Sequence, residues 1–501
     1  MSQSRPLRVL LCVTHPGNCN GYSRVGHHLA KELSKYPDTQ LSIYGFQNFH
    51  KIENHRKDFP KNVQVYDAFA NENPKGAGFG FGEVKEYVRI NKPDVIVIYN
   101  DLLVVTTILQ QLSAAIKEGS KFKIICYIDQ VYLNQRKDYI NLVNNVGDVA
   151  MLFTKYWEEN IIPQGIKLPT CYLPHGFDPM AHFPVSKTLA RRFYNLRSDD
   201  FIVINLNRNQ PRKRWDICIQ AFSEVLKTHA DKPIKLLIAT AVQGAWNIIE
   251  VFERELGKRG LTLEQGMKHV IMLDNPQQMS DEDINILQNV ADIGINTCDG
   301  EGFGLCQFEG ACCDVPQIVP KLGGFLDFFD DSCALMMEPK MTYYVDSSRD
   351  MVCGEAQLCD YRDFAKAIIR YYENPELRKE HARVARERIL SNYRWEDIGK
   401  KLHDICMATH RGENVRDVKQ NYLRRKLMVV EEEDEEDDKK PELIDPPAVV
   451  SAGIDVVALK KPHLKAKTKK LKTKSVGKTK VKGHLTELKK QLDDMLLNDL
   501  S

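Results

Sequence analysis

Unbroken apolar runs of strand length, each followed by a turn and a helical pattern, recur along the first 320 residues of the chain. "RVLLCV" near the start leads to "GHHLAKELSKY", where Leu29 and Leu33 stand four apart on one helical face. "DVIVIYN" and "KIICYID" are further runs of the same kind. Runs that are apolar at successive rather than alternate positions suit strands covered on both faces, the condition of a parallel sheet. Strand, turn and helix repeating in order predict right-handed crossovers and a doubly wound sheet.

A second series begins near Asp200. "FIVINLN", "IKLLIAT", "VIMLD" and "IGINT" read as strands, "RWDICIQAFSEVLKTH" and "MSDEDINILQNVA" as helices, and "PQIVP" as the last strand. Ser280, three residues before Asp283, marks a helix start. The expected fold class is therefore α/β, with two tandem Rossmann-like domains facing across a cleft. The boundaries read as residues 1–180 and 181–392, with closing helices over 393–428. Ligands of such sheets sit beyond the carboxyl ends of the strands.

The 501 residues are 43% hydrophobic and 28% charged, enough apolar material for two cores, and the net charge of +2 names no partner. The apolar run Val9 to Val13 ends at His15 and Pro16, too short for a secretory core. No stretch approaches the roughly 18 to 20 apolar residues of a spanning helix. Thirteen cysteines lie scattered without paired metal spacing, as expected of free thiols in a reducing compartment. A cytoplasmic protein with no metal site is expected.

Beyond residue 428 the composition changes. Residues 431–438 are all acidic, and 11 lysines with no acid fall between Lys460 and Lys482. The region 429–483 is expected to be a disordered acidic, then lysine-rich linker. Weak contact with a polyanion or a membrane surface is its second reading. Leu485, Leu488, Leu492, Leu496 and Leu500 give residues 484–501 the pattern of a short amphipathic helix, suited to a protein partner.

The chemistry concentrates in two segments. "DGEGFGLCQFEGA", Asp299 to Ala311, follows a strand and opens a helix, with Glu301 and Glu309 eight apart. Free N–H groups at such a helix start, with the helix dipole, form a site for a diphosphate. Glu309, one turn in, is placed to accept hydrogen bonds from ribose hydroxyls. Glu301, on the loop, is placed to meet a sugar. The second segment, "NLNRNQPRKRWD", carries Arg208 and Lys213 out of a strand at the same sheet edge. A solvated basic loop over Arg212, Lys213 and Arg214 is the bland alternative. Paired with the acids on the same edge, the two cations instead suit a diphosphate leaving group whose charge grows as a glycosidic bond breaks.

Arg208-x4-Lys213 followed by "EGFGLCQFE" closely resembles the family 4 retaining glycosyltransferases of the GT-B fold. "GNCNGYSRVGHHLAKEL", "NKPDVIVIYND", "YLPHGFD", "DVPQIVPKLGGFLDF" and "NYRWEDIGKKL" resemble further segments of that family in the same order, over roughly residues 7 to 410. The resemblance implies an N-terminal acceptor domain and a C-terminal domain for a nucleotide-diphosphate-sugar donor. It implies catalytic roles for Glu301, Arg208 and Lys213, and donor contacts by Glu309 and the backbone of Phe303, Gly304 and Leu305. Gly21 would approach from the opposite lobe. No cofactor or essential metal is implied, and the acceptor, whether glycan, lipid or protein, stays open. Two other readings remain: a nucleotide-sugar epimerase, and a degenerate GT-B protein serving as a binding scaffold. The chain departs from the family at Val97 and Tyr99, where many members carry histidines, at Asp129 near a third, at Asn20 for a glycine, and at Asp327 for a glutamate. His15, His27, His28 and His175 are read as structural.

Overall fold

The computed structural model describes residues 5–49, 56, 58–273, 279–350 and 352–418. The expectations for the acidic and lysine-rich tracts and for the terminal leucine helix lie outside these residues. The first sheet holds β1 (Leu7–Thr14), β2 (Thr39–Phe46), β3 (Gln64–Asp67), β4 (Val95–Asp101), β5 (Lys123–Asp129), β6 (Val149–Leu152) and β7 (Thr170–Tyr172). All pairs are parallel, in the order β3-β2-β1-β4-β5-β6-β7. The second holds β8 (Phe201–Asn205), β9 (Ile234–Ala239), β10 (Val270–Leu273), β11 (Ile293–Ile295), β12 (Gln317–Pro320) and β13 (Ala334–Met337), again all parallel, in the order β10-β9-β8-β11-β12-β13.

The apolar runs behave as their composition demands. Val9, Leu11 and Val13 of β1 pack into one core while Leu10 and Cys12 pack into the core on the opposite face. Every side chain of β4 from Val95 to Asn100 is buried. The strand order reverses between β1 and β4 and between β8 and β11, so each sheet opens a crevice at its carboxyl edge, and the two crevices face one another.

"PQIVP" is not the last strand. β13 follows it, and then an antiparallel hairpin of β14 (Pro339–Val345) and β15 (Gly354–Cys359). β13 has only four residues, and β14 exposes most of its side chains, so neither offers the long apolar run by which the inner strands declare themselves.

Two segments join the lobes side by side. Phe177 N donates to Tyr393 O at 2.6 Å, and a Cβ on Gly176 would lie 2.3 Å from the Trp395 ring, so only glycine lets these segments touch. The helix Trp395–Arg411 then runs along the helix Gly21–Leu33. On another side of the cleft the hairpin reaches the first lobe: Glu355 N donates to Leu133 O at 2.7 Å, and buried Asp299 gathers Arg349, Tyr343 and Tyr132.

Candidate active site

The cleft between the lobes encloses about 710 Å³, within the range of small-ligand sites. Its lining includes Gly21, Arg208, Lys213, Glu301, Phe303, Gly304, Leu305 and Glu309. All eight residues singled out in the sequence therefore share one cavity, although they come from both lobes and span nearly 290 positions.

The glycine-rich loop explains how. Gly304, at φ +98°, precedes the helix Leu305–Cys312 in a left-handed conformation that L side chains rarely adopt, and no side chain caps that helix. Its first N–H groups are left to the cleft. A Cβ on Gly302 would fall 1.7 Å from Asp129 Oδ1, so the loop lies directly against the first lobe. Across the cleft Gly21 begins its own helix, capped by the Asn20 side chain at 2.8 Å from Ser23 N, and the site of its missing Cβ is 3.0 Å from Leu305 Cδ1.

Two buried carboxylates organise the charges. Glu301 pairs with Lys213, lies 3.7 Å from Arg212 Nη1, and accepts from Asn296 Nδ2 at 3.4 Å. Burial alone would raise its carboxyl; Lys213 and Arg212 outweigh burial and hold it below the usual range, so it is ionised. Asn296 is itself fixed by Gln307 at 2.8 Å and Asn207 at 3.3 Å. Glu309 pairs with Arg24 and lies 3.6 Å from His182 Nε2.

Arg208 differs from these cations. It is open to the cleft's solvent yet surrounded by protein, and among the described residues no side chain bonds to it. Burial, then neighbouring Arg212, lower its pKa, which leaves a cation poised to gain from an anionic ligand.

Sequence reasoning missed several residues. Arg212 belonged to the loop whose bland reading was solvation, yet Arg212, Lys213 and Arg214 are all largely buried, and Arg214 pairs with Asp216 and Asp299. Arg24 gave no separate signal, being one polar residue in an amphipathic helix. Asp129 lines the cleft, accepts from Tyr22 OH, and is pushed up to about 6 by burial, against that donation; its Oδ1 has no partner among the described residues. Of the residues that depart from the family, Tyr99 also lines the cleft while Val97 is core.

The histidines are packed. His27 faces Asp58 at 3.1 Å, His28 stacks on Trp395 at 4.8 Å between ring centres, and His15 Nδ1 accepts from Gly17 N at 3.0 Å. His175 lines the cleft beside Phe303, 4.5 Å between ring centres, with Tyr127 OH 3.2 Å from Nδ1; burial takes it down to about 3, so it is neutral.

A family model described as "Family 4 Glycosyltransferase in conflict systems" matches residues 167–402. D-inositol 3-phosphate glycosyltransferase of Acidothermus cellulolyticus is 27% identical over 154 residues, 30% of this chain and 33% of the relative. The chain thus spans about a third of the length of the curated relative it matches. HepE of Anabaena, solved in complex with UDP and glucose, superposes with a TM-score of 0.60 at 15% identity, covering 80% of this chain and 100% of its own. Sucrose-phosphate synthase of Thermosynechococcus elongatus gives 0.60 at 15% identity, covering 81% and 100%. Two facing parallel sheets with a shared cleft, and these likenesses, define a protein of the GT-B fold. Within that fold, residues 167–402 are similar to the family 4 glycosyltransferases, and the curated relative is itself a glycosyltransferase.

Proposed function

We propose that the protein transfers a sugar from a nucleotide-diphosphate donor to an acceptor hydroxyl, with retention at the anomeric carbon and without an essential metal. The observation that carries this reading is Arg208, without a side-chain partner among the described residues, beside the Lys213–Glu301 pair and an uncapped helix start in one cavity. A diphosphate placed there would meet Arg208, Lys213 and the N–H groups of Phe303, Gly304 and Leu305. Preorganised donors of this kind stabilise charge on a leaving group as it develops. Glu309 takes the ribose hydroxyls. Glu301, kept ionised by its cations, takes the hydroxyls of the transferred sugar. In a front-face reaction the acceptor oxygen bonds to the anomeric carbon while the bond to the diphosphate breaks. The bonding electrons and the acceptor's proton both go to the departing phosphate.

No described helix is long and apolar enough to cross a membrane. All thirteen cysteines are free and eleven are buried, which supports placement in a reducing, cytoplasmic compartment.

The test is a panel of nucleotide sugars offered to the full-length protein with and without a chelator, read by mass spectrometry and by NMR of the anomeric centre. Diphosphate release with a retained anomer, unaffected by chelation, is the expected result. Interconversion of the donor sugar alone would identify an epimerase. Binding without turnover of any donor would identify a scaffold.

A further inference from the structure

Glu309 is assigned above to the ribose, and a vicinal diol is held best when it donates to both carboxylate oxygens. In this structure one of them is already taken. Arg24 Nη1 donates to Glu309 Oε1, and His182 Nε2 lies 3.6 Å from the same oxygen. Arg24 belongs to the first lobe, one turn into the helix Gly21–Leu33. Glu309 belongs to the second, one turn into the helix Leu305–Cys312.

The contact is part of a larger clasp. Arg24 Nε also donates to Asp281 Oδ1 at 3.0 Å, on the first turn of the helix Asp281–Asn289. The other oxygen of Asp281 accepts from Arg56 Nε at 3.2 Å. Arg56 is in turn fixed to the first lobe through Pro16 O at 3.0 Å, Asn18 O at 3.3 Å and Ser23 Oγ at 3.1 Å. Two arginines of one lobe thus grip two carboxylates of the other. The side chains are largely withdrawn from water, with 14% of Arg24 and 6% of Glu309 exposed. Charge-assisted contacts with little solvent screening are strong, and breaking one partner is costly.

We propose that Arg24 gates the donor site: its guanidinium closes the lobes by occupying the ribose-binding carboxylate, and the nucleotide enters by displacing it. This rests on the assignment of Glu309 to the ribose. Donor entry and parting of the lobes at Arg24 are then one event, and the affinity measured for a nucleotide is reduced by the share of protein held in the clasp.

The experiment compares the full-length protein with Arg24→Gln, by calorimetric titration with UDP, GDP and ADP and by small-angle scattering without ligand. Gating predicts that the nucleotide bound by the parent binds R24Q more tightly, by about tenfold if one charge-assisted hydrogen bond no longer competes. It also predicts a larger radius of gyration for ligand-free R24Q, contracting when nucleotide is added. Equal or weaker nucleotide binding by R24Q would overturn the gate and make Arg24 an ordinary donor contact. Asp281→Asn, which loosens the same arginine without leaving Glu309 unpaired, serves if R24Q does not fold; tighter binding supports the gate and unchanged or weaker binding overturns it. If neither protein binds any nucleotide, the ribose assignment fails, and scattering still judges the clasp: expansion of R24Q supports it and unchanged dimensions refute it.

Discussion

Replacing Lys213 by methionine keeps the buried aliphatic stem and removes only the charge that faces Glu301. Removing one member of a buried ion pair costs about 3–5 kcal/mol when the other is left alone. Glu301 would not be alone, because Arg212 Nη1 remains 3.7 Å from it. A unit charge at about 4 Å is worth about 4 kcal/mol at an effective dielectric near 20, so Arg212 offsets much of the loss. The expected destabilisation is about 2 kcal/mol. Turnover should suffer more. Loss of one preorganised donor to a developing anion costs about 2.7–4 kcal/mol, a fall of about 100- to 1000-fold in kcat/KM. The double variant K213M/E301Q separates the two effects: with the carboxylate neutralised, the unfolding midpoint should recover while kcat/KM stays low. The assay is nucleoside diphosphate release under kcat/KM conditions, alongside urea unfolding. K213M turnover within threefold of the parent would refute the argument, as would recovery of turnover in the double variant.

Three further outcomes are expected. Arg208→Met should change stability by no more than about 0.5 kcal/mol, since no side chain among the described residues is left unpaired, while calorimetric affinity for the nucleoside diphosphate falls by about tenfold or more. Asp327 is pushed up to about 6 by burial, against donation from Lys155 N and Tyr393. An acid whose pKa is raised in the fold destabilises it progressively as pH rises from the unfolded value through about 6, with the full penalty above. Asp327→Asn should therefore be about 1–2 kcal/mol more stable than the parent at pH 7.5 and lose that advantage toward pH 4; melting curves at the two pH values check this, and equal differences at both would count against it. Deleting residues 431–501 should leave transfer to a soluble acceptor unchanged, because every described residue lining the cleft lies between Asn18 and Glu309; a fall in activity with the fold retained would contradict this.

The inner strands were legible because burial on both faces writes itself into consecutive residues such as Val95 to Tyr99. The Ser280 cap was legible because its hydroxyl and Asp283 N, 3.1 Å apart, are local in sequence. The edge strand β13 and the β14–β15 hairpin were not, since a short strand with one wet face leaves only a weak pattern. The site followed the same division. Glu301, Glu309, Arg208 and Lys213 stand in two compact segments whose spacing matches a known pattern. Arg24 and His182 meet Glu309, and Asp281 meets Arg24, only through the tertiary fold, from positions up to 285 residues away. Arg212 stood inside a recognised segment, but only its place beside Glu301 separates it from a solvated cation.

Whether this cleft holds a nucleotide by its diphosphate is settled most directly by titrating the full-length protein with matched nucleoside diphosphates and monophosphates. Arg208, Lys213 and the uncapped helix predict that for one base the diphosphate binds at least about tenfold more tightly than the monophosphate. Equal affinities, or no binding of any diphosphate, would contradict the account.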